Sequence, residues 1–474
     1  MKTRRSGLLG CTGLALSLGL SPASAMSLAE AVQKTLSSNP QVLAAGENRE
    51  ATEFELRQAR GAYLPSVDLE AGYGKRRLLS PSTGGNYTNL TPSYTSLTIT
   101  QRLFDGGARR AEVDRQAARV DGASFRVAER SENLALQAVQ YYLEYVLQAE
   151  IVRVAQENKA FHQKMLGDIE QSIAGGALTD ADRLQGRERL EAANARVVEA
   201  VQALEDADAR FIRVVGEPIG TVKTPGSISK SLPQNVEDAL QIARANSPAV
   251  KAGRADIDAA DAAVRGTRSE YLPKVDLEGV ATLGNDTSGT AGRTNSYQVG
   301  LVARWNLFNG GKDIAREQEY VRRSGESRMA LDDTYRAIEE AVRSAWSERK
   351  NNGALSATLS RQSNANDQLV SSYREQFRVG NRSLLEVLDA QNARFNTAVQ
   401  ARISKVAAIF AEYKLLAAMG KLSDTMGGKQ VAQAGAYARE EFGVKSLDDP
   451  GYKKLSAHQK ANMPFDLLAP LRDK

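Results

Sequence analysis

The chain has 474 residues, with 62 Lys and Arg against 57 Asp and Glu, two histidines and one cysteine. A lone cysteine excludes a disulfide framework and a thiolate metal cluster. His162 and His458, far apart and read here as solvated surface residues, leave no histidine metal site or catalytic triad to assemble. The net charge of +5 is too even to mark a nucleic-acid partner, and no cofactor or enzymatic chemistry is implied.

The N-terminus carries Lys2, Arg4 and Arg5, then an apolar stretch over 7–20 and Ala23-Ser24-Ala25, the layout of a secretory signal peptide at 1–25. A competing lipoprotein box ending at Cys11 leaves too few apolar residues before the cysteine. Removing the leader lowers the net charge to +2. Beyond it no run of about 18 apolar residues follows, so an exported chain is either periplasmic and soluble or inserted as a β-barrel.

Two halves answer each other along the chain. Asn39-Pro40 and Tyr63-Leu64-Pro65 match Ser247-Pro248 and Tyr271-Leu272-Pro273 at a separation of 208 residues. Leu103-Phe104-Asp105-Gly106-Gly107 matches Leu307-Phe308-Asn309-Gly310-Gly311 at 204. Such self-similarity predicts two equivalent structural units, a first repeat over 26–216 and a second over 236–421, joined by 217–235 and followed by a tail over 422–474.

Each unit opens with a helical pattern, 27–62 or 236–270, stopped at the Tyr-Leu-Pro turn. The period then drops to two. Val67, Leu69, Ala71 and Tyr73, then Leu97, Ile99 and Leu103, alternate with polar residues, and only Gln101 interrupts the apolar set. The second unit repeats this with Val275, Leu277, Tyr297, Val299, Leu301, Ala303, Trp305 and Leu307. Strands of about 9 to 11 residues suit a bilayer crossing, although a soluble hairpin with one buried face shows the same alternation. The segments between them, 75–93 and 284–295, read as long polar loops.

A Gly-Gly turn then starts helical stretches over 108–174 and 312–378, each about 100 Å long at 1.5 Å per residue. Their apolar positions form narrow seams, such as Leu143, Leu147, Ile151, Val154, Phe161 and Met165, or Val370, Tyr373 and Phe377. A plain coiled-coil spacer explains the seams but not the hairpins. Glycine turns at Gly175-Gly176 and Gly380-Asn381 precede returning helices. Four strands per chain cannot close a barrel, for which about eight is the minimum. Three chains would supply about 12.

At this point the chain resembles the TolC family of trimeric outer-membrane exit ducts, and within it the type I secretion branch, over about residues 27–421. The carriers are the duplicated Asn/Ser-Pro helix, Tyr-Leu-Pro strand entry and Leu-Phe-Asp/Asn-Gly-Gly strand exit, together with the segment from Val379 to Gln391. The resemblance implies a mixed α and β fold: a homotrimeric transmembrane β-barrel of about 12 strands, four per chain, in outer-membrane lipid, continuing into a long periplasmic α-helical coiled-coil tunnel. It implies a passive conduit joined to a periplasmic adaptor and driven by an inner-membrane ABC transporter or proton-driven pump. Protein secretion, drug efflux and a periplasmic coiled-coil scaffold without transport remain as alternative functions.

Glu386 and Asp389 lie i and i+3 on one helix and share a face, with Arg382 at i−4 from Glu386. Aligned on Gly176 and Gly380, Asp182 falls opposite Glu386. A solvated face with ordinary pairing is the plain reading, and nothing supplies the cleft a glycosidase carboxylate pair needs. By the resemblance, Arg382 and Asp182 are latch residues of a periplasmic gate, and Glu386 and Asp389 its acidic constriction. Phe377 stands where some members carry a latch tyrosine. The tail is expected to be loosely ordered, with at most one short helix near 434–442, and to wrap the waist with 217–235.

Overall fold

The computed structural model describes residues 26–461 apart from 80, 82–83, 221, 223, 288, 290 and 428–430; the expected leader and Cys11 lie outside the described residues. The first helix, α1 (Leu28–Ser38), opens with a reciprocal cap, in which the Ser27 N–H donates to Glu30 Oε2 at 2.7 Å and the Glu30 N–H to Ser27 Oγ at 3.2 Å. The single helix expected over 27–62 is in fact two. Pro40 has no N–H to continue the ladder and holds Asn39 extended at φ −69°, ψ 126°. Asn39 then caps α2 (Pro40–Gly61) through the Gln41 N–H at 2.9 Å and donates to the Val214 carbonyl at 2.8 Å.

Strands and long helices follow in the order β1 (Ser66–Tyr73), β2 (Arg76–Leu79), β3 (Tyr87–Leu90), β4 (Ser93–Phe104), α3 (Ala108–Ala174) and α4 (Asp180–Val215). The second unit runs α5 (Val236–Asn246), α6 (Pro248–Thr267), β5 (Lys274–Asn285), β6 (Arg293–Arg304), α7 (Lys312–Arg378) and α8 (Leu384–Ala418). Ser247-Pro248 separates α5 from α6 as Asn39-Pro40 separates α1 from α2. The segment 75–93 is not a plain loop: β2 and β3 pair into a small antiparallel ribbon of their own.

The main sheet is antiparallel in the order β1-β4-β5-β6. Its register turns the period-two pattern into one continuous surface. Leu69 sits opposite Leu97, Leu97 opposite Ala281, and Ala281 opposite Tyr297, with Val67, Ile99, Gly279 and Val299 in the next row of the same face. Leu69, Val299 and Leu301 are 72%, 80% and 68% exposed. The opposite face is largely polar, with Asp68, Thr98, Val280 and Gln298 in one row and Ser66, Thr100, Glu278 and Gly300 in another. Gln101, the one polar residue of the apolar set, donates to the Tyr63 carbonyl at 3.1 Å, where the preceding helix turns into the sheet.

Asp105 explains the strand-exit motif. Its carboxylate accepts from the N–H groups of Gly107 and Arg109, both at 3.0 Å, and from Arg109 Nε at 2.8 Å, covering the free donors at the start of α3. Gly106 has φ +67°, and a Cβ there would lie 3.0 Å from Ser269 Cα of the second unit, so both conformation and close approach require glycine.

Below the sheet the helices stand side by side. α3 packs against α2 and α6 near the sheet and against α4 and α8 farther away, whereas α7 packs mainly against α5, α6 and α8. The two 67-residue helices therefore differ in burial: 27 residues of α3 are buried and five of α7. α7 is an edge of the helical layer, as β1 and β6 are edges of the sheet. The largest core lies midway, where Leu28, Val32 and Leu36 of α1 meet Tyr142 and Leu143 of α3, Phe211 of α4, Leu240 of α5 and Leu415 of α8.

The segment 217–235 packs on this core through Ile219 and Leu232, and Glu412 of α8 accepts from Ser227 Oγ at 2.7 Å and the Ile228 N–H at 2.7 Å. The tail is more ordered than expected. It forms short helices at Leu422–Thr425, Ala438–Glu441 and Ala457–Ala461, and it runs from the mid-height core along α3 toward the sheet and then across to α6 and α7. Buried carboxylates hold it there. Asp121 of α3 accepts from the N–H groups of Tyr437, Ala438 and Arg439 at 2.9, 2.8 and 3.2 Å, and Arg439 reaches across to Asp258 of α6 at 2.6 Å. Asp261 of α6 holds Arg328 of α7 at 2.7 Å, and Arg328 donates to the Asp448 carbonyl at 2.8 Å. Both repeats are thus stitched to one strap.

Candidate functional site

The hairpin turns at 175–179 and 379–383 lie at the end of the helices remote from the sheet. Gly176 and Gly380, at φ +75° and +76°, supply the left-handed residue that ends each long helix. Each return helix then starts with the same device. The Thr179 N–H and Oγ both donate to Asp182 Oδ2 at 2.8 Å, and the Ser383 N–H and Oγ donate to Glu386 Oε2 at 3.1 and 2.8 Å. The equivalence of Asp182 and Glu386 in the two repeats therefore has a local cause: both are the third residue of a capping box.

Glu386 also accepts from Arg382 Nη1 at 2.6 Å. Arg382 and Ser383 together hold its carboxyl at about 2, and the Thr179 N–H and hydroxyl hold Asp182 below the usual carboxylate range. A carboxyl with a lowered folded pKa stabilises the fold above its unfolded value and loses that contribution only as the pH falls through its folded value. Glu386 thus stays ionised down to strongly acidic pH.

Arg382 donates further to Gln376 Oε1 at 3.1 Å and lies 4.1 Å from the centre of the Tyr373 ring. All these partners belong to its own hairpin. Arg382 and Asp182 are not brought together within one chain; Asp182 is engaged in its cap. Phe377 is half-buried beside Met165, Ile169, Leu384, Val387 and Leu388, an apolar plug between the two hairpins. Asp389 is exposed, with Arg189 Nη2 of α4 at 4.0 Å as its nearest cation.

A polar link that crosses between the hairpins near the turns joins Arg374 of α7 to Asp168 of α3, at 3.1 Å and part-buried. Sequence reasoning missed it, because residues 206 apart on different helices leave no i,i+4 signature. Gly186 is a second omission. A Cβ there would lie 2.8 Å from Ile169 Cδ1, so glycine lets α4 close onto α3 just above the turn.

His162 corrects the expectation of a solvated surface histidine: it is 6% exposed, within the seam of α3. Nearby, Gln391 Nε2 of α8 donates to Asn158 Oδ1 of α3 at 2.8 Å, both side chains buried. Burial first, and the neighbouring Arg189 second, hold the His162 imidazole below its ordinary pKa, opposed by Glu188. The unfolded chain then binds this proton more readily than the fold does, so stability falls as pH drops below about 6.5. Acidification from about pH 7.5 to 5.5 should lower the thermal unfolding midpoint of the parent more than that of His162→Gln; equal falls would contradict a buried neutral imidazole.

At the other end, the polar face of the sheet is pinned by charge. Asp276 of β5, 2% exposed, accepts from Arg102 Nε of β4 at 2.9 Å and Arg304 Nη1 of β6 at 3.2 Å, while Arg304 reaches Glu278 at 2.7 Å. On the apolar face the helix-proximal rim is aromatic: Phe104, Trp305 and Phe308 are 46%, 58% and 66% exposed. This is the composition of a membrane–water boundary.

Among known proteins, the outer membrane efflux protein family matches residues 31–217 and 239–421. The outer membrane efflux protein BepC of Brucella suis biovar 1 is 26% identical over 393 residues, covering 82% of this chain and 84% of BepC. The proteases secretion protein PrtF of Dickeya chrysanthemi is 25% identical over 411 residues, covering 83% and 87%. The crystal structure of the Campylobacter jejuni CmeC outer membrane channel superimposes with a TM-score of 0.75 at 16% identity, covering 89% of this chain and 90% of CmeC. Repeated helix–hairpin–helix units, a one-sided apolar sheet and two helices of about 100 Å agree with these likenesses, and the chain belongs to the outer membrane efflux protein family, whose members are channels of the outer membrane with a long periplasmic helical portion.

Proposed function

We propose that the chain is one of three identical subunits of a passive exit duct for a type I protein-secretion system, joined through a periplasmic adaptor to an inner-membrane ABC transporter. The observation that carries the duct is the continuous apolar face of β1, β4, β5 and β6, exposed on one side of a sheet whose other side is largely polar. Lipid on the first face and water on the second satisfy both. Two unpaired strand edges and the exposed length of α7 need neighbours, and three chains give a closed barrel of about 12 strands. The duct lowers no chemical barrier; the transporter supplies the energy.

Type I secretion is favoured by the likeness to PrtF, named for protease secretion, together with the compact strand-entry and strand-exit motifs. The likeness to BepC, named as an efflux protein, supports a drug-efflux duct as the second reading. Deleting the gene separates them. Secretion predicts a specific protein lost from the culture medium with antibiotic susceptibility unchanged, and efflux predicts the reverse.

The tip is read as the gate. Asp389, exposed and only loosely approached by Arg189, is the carboxylate left to form a ring of negative charge, while Glu386 is held by Arg382 and Ser383. Such a ring favours cations over anions. The Phe377 plug keeps the helix pairs in register, and Arg382 and Asp182 fix the two turns that carry it, until an adaptor competes for these contacts, a two-state change. In planar bilayers, Arg382→Ala and Asp182→Ala should raise the single-channel conductance and Asp389→Asn should reduce cation selectivity; parent-like conductance in the first two rejects the gate assignment.

A further inference from the structure

The end of the sheet remote from the helices has a feature that conduction does not use. One row of the apolar face ends in Tyr73, Ser93, Asn285 and Arg293, each paired with the next across the four strands. The row inside it is Ala71, Thr95, Leu283 and Asn295. The small side chains of Ala71, Ser93 and Thr95 between Tyr73 and Leu283 leave a shallow trough of about 500 Å³, with Arg293 on its wall. By the alternation of β6, Arg293 shares a face with Tyr297 and Val299. It is an arginine on the lipid side, at the outer limit of the apolar band.

The loops above the trough are basic. The segment 74–92 contains Lys75, Arg76 and Arg77 and no acidic residue; the segment 284–295 contains Arg293 and one acid, Asp286. The Asp286 carboxylate is engaged by the N–H groups of Gly292 at 2.8 Å and Thr91 at 3.2 Å. Among the described residues, none of the four bases forms an ion pair, and Arg77 lies 4.3 Å from the centre of the exposed Tyr87 ring. The ribbon folds over the tip of the second hairpin, since a Cβ at Gly289 would meet Leu78 at 2.9 Å.

An arginine on the lipid face of a barrel costs about 2–4 kcal/mol at the bilayer midplane and little near the interface. At the interface its planar fork can hold a phosphate through two N–H donors. An apolar trough below and several bases above fit a molecule with acyl chains at one end and more than one phosphate at the other. We propose that this site binds a multiply phosphorylated, acylated glycolipid of the outer leaflet, with a chain in the Tyr73–Leu283 trough and its phosphates on Arg293 and the β2–β3 ribbon. The inference rests on the outer-membrane reading above, because the trough faces lipid only in a barrel.

The test is native mass spectrometry of the full-length, detergent-solubilised protein titrated with diphosphorylated lipid A, its dephosphorylated form and phosphatidylglycerol. The parent should bind diphosphorylated lipid A at least about tenfold more tightly than either other lipid, corresponding to roughly 1.4 kcal/mol. Arg293→Gln and the triple Lys75→Gln, Arg76→Gln, Arg77→Gln variant should each lose most of that preference, and Arg293→Lys should keep part of it. Equal affinity for the phosphorylated and dephosphorylated forms, equally tight phosphatidylglycerol binding, or an unchanged preference in the Gln variants would overturn the assignment. Fractionation of the same preparations distinguishes the two levels: a parent that sits in the outer membrane without lipid preference refutes the lipid site alone, and a parent absent from that membrane refutes both.

Discussion

A backbone N–H or C=O facing hydrocarbon without a partner costs several kcal/mol, and the architecture follows from that constraint. Four antiparallel strands with an apolar face toward lipid still leave β1 and β6 with unpaired edges. No rearrangement within one chain removes them, because the remaining strands, β2 and β3, form a separate ribbon. Closure has to come from other copies. The helices carry the same incompleteness downward: α3 is buried along much of its length, and α7, equally long and in the equivalent place of the second repeat, has five buried residues. A duplicated unit has thus diverged into an inner member and an edge member.

The elements outside the repeats hold this open layer in shape. The core around Tyr142, Phe211 and Leu415 joins α1, α3, α4, α5 and α8 at mid-height, and 217–235 seals it against Glu412. The tail ties α3, α6 and α7 together nearer the sheet through Asp121, Asp258 and Asp261, each almost fully buried and each paired with arginine or backbone N–H. Burying charge is unfavourable unless it is paired, so the arginine and backbone N–H partners of these carboxylates favour one path for the tail. The tip is held between hairpins by a small apolar cluster, the Arg374–Asp168 ion pair and, farther from the turns, the Gln391–Asn158 hydrogen bond. Its apolar cluster is smaller than the mid-height core, which suits the proposed gate.

Much of this was legible in the residues, for identifiable reasons. Strand pairing follows a period of two, and the paired rows Leu69–Leu97 and Leu277–Leu301 continue the alternation that Val67 to Tyr73 display along one strand. The 67-residue lengths of α3 and α7 lie between Gly-Gly turns and the left-handed glycines Gly176 and Gly380, which are explicit in the sequence. What escaped depends on contacts between distant segments. The split at Pro40 was signalled by proline, but the weight of the helical period on both sides hid it. The ribbon of β2 and β3 is only four residues per strand, too short for alternation to register. The burial of His162, the Arg374–Asp168 pair and the tail's attachment to Asp121 each require knowing which helix faces which. Of the residues singled out at the tip, Arg382 and Glu386 do meet, as their i,i+4 spacing predicts, whereas Asp182 is occupied by the cap that its own position creates.

The central claim is that the open edges of one chain are closed by two others. Cys11 is the one cysteine of the sequence, so in a Cys11→Ser background introduced cysteines are the only thiols and cross-linking reads the assembly directly. Leu69→Cys on β1 combined with Val299→Cys or Leu301→Cys on β6, oxidised in isolated outer membranes and resolved on a denaturing gel, should give a ladder of one, two and three chains that ends at three. Monomers alone, or a ladder that continues past three, would contradict a barrel closed by three subunits.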